Sequence, residues 1–293
     1  MGNNMKLERK ETLIAYIINL PVVALLIGLL VFPTSYLFFM SFFEKRIGAP
    51  EKFVQFKNYI SVLLDPLFYN SLLLTLFFTF VCVFIKLILG LYVATLLNRK
   101  FKGKGIARSL IIIPWTFPLF VDALIWYSLY DTTSGALNIL LESIGLKGIN
   151  WLGPEYALLS IIIVNIWKGF PFYVLNFLAG MESIPSELYE SAEIDGAGGG
   201  AKFLYITLPI LKYVILVTVS LSLIWTFEEF ETIYLLTGGG PGNRTTTIPI
   251  LIYLTAFGAG NIGYSSTIAI IALPIFLVII YNLSKMLAKG EIA

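Results

Sequence analysis

Apolar residues run along this chain in six long blocks, near 13–43, 66–97, 106–130, 156–181, 203–236 and 248–287, separated by short polar segments. About 20 apolar residues make a helix long enough to cross the hydrocarbon core of a bilayer. Each block reaches that length, so the pattern predicts six membrane-spanning helices and an all-α, polytopic fold. The last block is broken by Gly258, Gly260 and Gly263. It reads as a short approach helix near 248–257, followed by a span from about Tyr264. Between the third and fourth blocks, Leu137, Leu140, Leu141 and Ile144 repeat at helical spacing, as in a short amphipathic helix lying along the membrane interface. No internal repeat or low-complexity tract interrupts the pattern. The six spans therefore read as one membrane domain over 13–287, with a segment at 1–12 before it and a tail at 288–293.

Lysine and arginine set the orientation, because they concentrate in cytoplasmic loops. One side carries Lys6, Arg9, Lys10, Arg99, Lys100, Lys102, Lys104, Arg108, Lys202, Lys212, Lys285 and Lys289. The other carries Lys45, Arg46, Lys52, Lys57, Lys147 and Arg244. Both termini and the loop at 182–201 are then cytoplasmic, and the segments 44–65, 131–155 and 237–247 face outward. The expected location is the plasma (inner) membrane, crossed several times and solvated by lipid.

Composition agrees. Hydrophobic residues make up 58% of the 293 and charged residues 13%, with a mean hydropathy of +0.85. Soluble domains are about 45–50% apolar and about 25% charged. A net charge of +2 without a dense basic stripe speaks against nucleic-acid binding. Histidine is absent, which removes histidine bases, histidine metal ligands and Ser-His-Asp triads. Cys82 is the only cysteine, so no disulfide forms within the chain. The first block is too long for the core of a cleavable signal and lacks a small-residue cleavage site, so it is expected to stay as an anchor.

The polar insert at 182–201 is acidic and glycine-broken. Pro185 suits the first turn of a helix, and Glu187 and Glu190 complement the positive N-terminal end of its dipole. Leu188 and Ala192 share a face. Gly196 can take the left-handed conformation that ends a helix, and Gly198-Gly199-Gly200 makes the exit pliable. Pro209 fits a kink or start in the next span. On physical grounds alone this is either an ordinary interhelical loop or a short surface helix offered to a soluble partner.

The run Glu190-Ser191-Ala192-Glu193-Ile194-Asp195-Gly196-Ala197 followed by Ile206-Thr207-Leu208-Pro209 resembles the cytoplasmic coupling loop of ABC importer permeases. The resemblance implies a type I permease fold, with Glu190, Ser191, Ala192, Asp195, Gly196 and Ala197 docking into a cleft on an ATP-binding subunit. Serine stands at 191 where alanine is usual, and it is small enough to preserve docking. The segment from Phe230 to Gly242, the downstream Tyr253, Phe257, Gly263 and Tyr264, and the run Ile184 to Tyr189 are similar to permeases of the maltose and glycerol-phosphate type. This second resemblance covers roughly 167–266. It implies that Gly238, Gly239, Gly240, Pro241 and Gly242 form an external turn near a docked binding protein; from the residues alone the run is equally a plain flexible turn. A long N-terminal extension and a large second external domain, present in some members, are not expected here. The partners implied are a second permease in a heterodimer, two ATP-binding subunits that carry ATP and magnesium, and an extracellular solute-binding protein. No cofactor or metal is expected on this chain.

Charges inside a bilayer face protein or a water-filled path, because each costs on the order of 2.5–3.5 kcal/mol in lipid. The candidates are Lys86, Asp122, Lys168, Glu228, Glu229 and Glu231. Carboxylates and amides bind sugar hydroxyls, and aromatic faces cover the apolar faces of a sugar ring. Asp122, Trp126, Tyr173, Asn176, Trp225, Glu228 and Glu229 are accordingly the expected lining of a substrate path. The acidic trio could equally be an interfacial cluster paired with a partner, and the aromatics could serve the membrane-interface belt or helix packing.

No G-x-x-x-x-G-K-[ST] phosphate loop occurs, so ATP hydrolysis would belong to other chains. GxSxG, HExxH and CxxC elements are also missing. Asn243-Arg244-Thr245 matches the glycosylation tripeptide. The leading expectation is a non-enzymatic permease subunit that moves a sugar, a di- or oligosaccharide, by alternating access. The alternatives are a stand-alone ion-coupled transporter using Asp122, Glu228 and Glu229, or an ABC importer for a polyol, glycerol phosphate or peptide. Only Lys86 and Lys168 could meet a phosphate, which favours a neutral solute.

Overall fold

The computed structural model describes residues 2–99 and 101–290, with side chains described over 12–282, except 13 and 100, and at 285. Of the expected terminal segments, residues 1 and 291–293 lie outside the described residues, as do the side chains of Lys6, Arg9, Lys10, Lys100 and Lys289. Among the described residues, four helices are long and apolar enough to cross a membrane: Ile14–Met40, Pro66–Asn98, Ala157–Glu182 and Ile262–Asn282. Two bent pairs complete the six expected spans if each pair is one span: Lys104–Thr116 with Leu119–Leu129, and Gly199–Ile210 with Lys212–Phe227. The approach helix before the sixth span is Ile248–Gly258.

The expected continuity of the third and fifth spans gives way to sharp bends, and proline accounts for much of it. The third span turns by 96° at Phe117-Pro118. Proline disfavours the helical region for the residue before it, and Phe117 is extended with ψ 143°. The fifth span turns by 67° at Leu211. Pro209 has no N–H to give the carbonyl four residues earlier, and the backbone just ahead of it widens into a π-helical turn, Phe203–Thr207. That span also stops early. Its helix ends at Phe227, and a separate short helix, Glu231–Thr237, follows.

Two compact units are present, Met1–Asp65 with Ile252–Ile271, and Pro66–Leu251 with Ala272–Ala293. In the first, Asn58 donates to the carbonyls of Ser41 and Phe43, both at 2.9 Å. Thr267 donates to the Ser41 carbonyl at 3.1 Å, and Tyr264 donates to Asp65 at 2.8 Å. A small antiparallel pair, Phe43–Glu44 with Lys52–Phe53, closes the loop after the first span. Every described side chain from Ile14 to Phe39 is exposed within the chain, so lipid or another subunit must cover this helix.

The second unit holds a hydrophobic core cluster. Ala94 and Leu97 of the second span pack with Tyr173, Val174, Phe177 and Leu178 of the fourth, joined by Leu211. Gly90 permits the approach, because a β-carbon there would overlap the β-carbon of Tyr173. Gly90→Leu should therefore destabilise the protein by about 1–3 kcal/mol, the usual cost of overpacking. The check is a lower thermal unfolding midpoint in detergent, with Gly28→Leu as control, since a β-carbon at Gly28 meets nothing within 4 Å.

Candidate functional site

A cavity of about 680 Å³ opens within the second unit between the second, third, fourth and fifth spans. Its size falls in the range of ligand pockets, about 300–1,000 Å³. One wall is aromatic. Phe172 sits 5.0 Å from Trp225 and 6.1 Å from Trp115, centroid to centroid, and all three line the space.

The other wall is polar and built across three spans. Lys86 is 3% exposed in the middle of the second span. It donates to Asn165 Oδ1 at 3.0 Å on the fourth span and to Thr226 Oγ1 at 2.9 Å in the last turn of the fifth. The Asn165 amide passes the chain on to Glu229 Oε2 at 3.0 Å, and Glu229 Oε1 accepts the backbone N–H of Thr232 at 3.2 Å. An ammonium has three donors, and two of those of Lys86 are spent on these partners. Gly169 makes room for its stem: a β-carbon there would lie 2.7 Å from Lys86 Cδ. The second cation, Lys168, forms an ion pair with buried Asp122 and also donates to the Phe117 carbonyl at the break in the third span.

The seven residues expected along the path divide. Trp225, Glu228 and Glu229 line the cavity, and Asp122 lies behind Lys168 as its counter-ion. Trp126 instead packs edge-on against Trp167 and tilted against Tyr130. Tyr173 is fully buried in the helix core beside Phe177, on the side that meets Gly90. Asn176 donates back to the Phe172 carbonyl of its own helix at 2.7 Å. Asn165, Thr226, Phe172 and Trp115 line the cavity without having been singled out. A signal existed for Asn165: it precedes Lys168, Gly169 and Phe172 at helical spacing, on one face.

The loop between the fourth and fifth spans forms the surface helix Ser186–Ile194. Pro185 stands one position earlier than the first turn, as the N-cap, with ψ 134°. The helix ends in a Schellman motif: Ala197 N–H donates to the Ala192 carbonyl at 2.8 Å, and Gly196 N–H to the Glu193 carbonyl at 3.0 Å. Gly196 holds φ at +79° to allow it. Glu190, Ser191, Asp195 and Gly196 are exposed, and Ala192 and Ala197 half-buried. Apolar Ile194 is 88% exposed at the end of this helix. The helix is fastened to the fifth span by Tyr189 Oη against Thr207 Oγ1 at 2.9 Å and by Glu193 with Lys202 at 2.9 Å. The Lys202 ammonium holds the Glu193 carboxyl below its ordinary range. Nearby, Arg108 and Lys104 at the start of the third span pair with Glu182 at the end of the fourth.

The turn Gly238 to Gly242 is laced rather than loose. Thr245 Oγ1 donates to the Gly240 carbonyl and Thr246 Oγ1 to the Gly239 carbonyl, each at 2.8 Å. Gly238, Gly239 and Gly242 take positive φ of 58°, 89° and 58°. Thr245, the third residue of the glycosylation tripeptide, is fully buried. Among the described residues, no three of His, Cys, Asp and Glu converge as a metal site.

Residues 86–290 match the family of binding-protein-dependent transport system inner membrane components. The chain is 38% identical over 281 residues to the trehalose/maltose transport system permease protein MalF of Thermococcus litoralis, covering 94% of this chain and 95% of the relative. It is 35% identical over 268 residues to the sulfoquinovosyl glycerol transport system permease protein SmoG of Agrobacterium fabrum, covering 90% and 87%. A bacterial ABC transporter involved in the import of the acidic polysaccharide alginate contains a chain of the same fold, with a TM-score of 0.85 at 24% identity over 98% of this chain and 99% of that one. With six candidate spans, a surface helix between the fourth and fifth, and these relatives along nearly its whole length, the chain belongs to the family of binding-protein-dependent transport system inner membrane components, the permeases of ABC importers.

Proposed function

We propose that this chain is one permease of an ATP-driven importer for a neutral di- or oligosaccharide, and that the cavity between the second and fifth spans is its half of the sugar path. One observation carries the reading: an aromatic wall of Trp115, Phe172 and Trp225 lines the same cavity as the polar chain Lys86, Asn165, Thr226 and Glu229. A sugar ring has apolar C–H faces and a hydroxyl edge. Aromatic rings cover the first, and paired donors and acceptors take the second. A named relative transports trehalose and maltose, which supports the class.

In this reading the termini and the helix Ser186–Ile194 face the cytoplasm. The helix docks on an ATP-binding subunit through Glu190, Ser191, Ala192, Asp195, Gly196 and Ala197, with exposed Ile194 filling an apolar pocket there. The turn Gly238 to Gly242 faces the solute-binding protein. A second permease completes the path. ATP and magnesium act on the partner subunits; closure of the ATPase dimer moves the coupling helix, opens the path outward to receive sugar, and hydrolysis resets it. The chain itself makes and breaks no covalent bond.

The test is ATP hydrolysis by the assembled complex in lipid. The expected result is stimulation by the binding protein loaded with one neutral oligosaccharide and little without it. Hydrolysis indifferent to the loaded binding protein would refute the reading.

A further inference from the structure

The cavity carries five charged side chains, and they are not equally free. Both cations are committed to the protein. Lys168 is paired with Asp122 and bound to the Phe117 carbonyl. Lys86 is held by Asn165 and Thr226, with Glu229 next in the chain. Glu229 is itself tied to Asn165 and to the N–H of Thr232. The remaining two are different. Glu228 caps the helix Lys212–Phe227, and Glu231 opens the helix Glu231–Thr237. Both line the cavity, both are exposed, and among the described residues neither forms an ion pair or side-chain hydrogen bond.

The surrounding wall sharpens their effect. Trp115, Phe117, Leu119, Phe172, Trp225 and Phe230 give the cavity low-dielectric sides, and such walls focus the field of unscreened charges into the space between them. At an effective dielectric constant of about 20–40, the repulsion between like charges a few ångströms apart corresponds to discrimination of about tenfold or more from either carboxylate.

We infer that Glu228 and Glu231 are specificity determinants that exclude anionic saccharides from this permease's cavity while admitting neutral ones. The inference rests on the reading of the cavity as the sugar path. A transporter of the same fold imports the acidic polysaccharide alginate, so the fold alone does not dictate the charge of the solute.

The experiment measures equilibrium binding to the complete detergent-solubilised importer without its binding protein, read by quenching of tryptophan fluorescence. The probes are maltose, trehalose and cellobiose, and for the tightest of these its counterpart oxidised at C6 to the uronic acid. The expected wild-type result is binding of the neutral sugar about tenfold or more tighter than its uronic acid, a ratio that shrinks as salt screens the carboxylates. In Glu228→Gln/Glu231→Gln the ratio should fall to about threefold or less. Equal binding of the two sugars by wild type would overturn the inference and leave the sugar path standing, as would a tenfold ratio that persists in the double variant. Failure of all three neutral sugars to bind wild type would overturn the sugar path, and the inference with it.

Discussion

Gly196→Val should cut ATP-driven uptake by about 5–30-fold while the chain still inserts in the membrane. The argument is conformational. A β-carbon at Gly196 meets nothing within 4 Å, so the substitution creates no clash. What it changes is the backbone: φ is +79°, and a residue with a β-carbon pays about 1–2 kcal/mol to stay there. That cost matches a population change of about 5–30-fold. The hydrogen bonds at stake are those from Gly196 and Ala197 back to Glu193 and Ala192, which fix where the helix Ser186–Ile194 stops and how the chain turns toward the fifth span. Gly196→Asn is the control, since asparagine tolerates the left-handed region, and it should keep most of the uptake. Membrane fractionation and uptake in the same vesicles check both. Equal uptake by the valine and asparagine variants would remove the role assigned to this helix end.

Lys86→Met should lower uptake by a comparable or larger factor, through the cavity rather than the helix Ser186–Ile194. Methionine keeps the length of the stem beside Gly169 but removes every donor. Asn165 Oδ1 and Thr226 Oγ1 then lose their partner. A buried acceptor left unsatisfied costs about 1–3 kcal/mol, equivalent to about 5–150-fold. Asn165 would be free to turn its amide away from Glu229, loosening the link among the second, fourth and fifth spans. Thermal unfolding of the purified complex and uptake at a temperature well below the midpoint separate the two possible effects. Normal uptake with a lowered midpoint would make Lys86 a structural strut and take it out of the sugar path.

How much of this was readable in the residues depends on the length scale. The spans follow from unbroken apolar runs, because a bilayer demands about 20 such residues and little else does. The bend in the third span was legible in principle at Pro118, where the missing N–H and the restriction on Phe117 act locally. The break at Glu228–Phe230 carries no proline or glycine, so the residues there predict continuous helix. Side-chain facing was harder. Asn165, Gly169 and Phe172 share one face of the fourth span and line the cavity, whereas Tyr173 is eight residues from Asn165, about 80° further round, and meets Gly90. Choosing between these faces requires knowing which neighbour lies on each side, and hydropathy does not encode that when both faces are apolar. The linkage of Lys86 to Asn165, 79 residues away, is likewise a product of tertiary packing. The end of the helix Ser186–Ile194 was more accessible, since its acidic first turn, its glycine stop and its spacing are all local.

The most direct test of the account is uptake of a labelled neutral disaccharide into proteoliposomes holding this chain with its second permease and ATPase subunits, with the binding protein added outside. Uptake that requires both enclosed ATP and the binding protein, and that does not respond to an imposed ion gradient, is the predicted result. Uptake by this chain alone, driven by an ion gradient without ATP, would contradict it and make Asp122, Glu228 and Glu229 the coupling sites of a different kind of transporter.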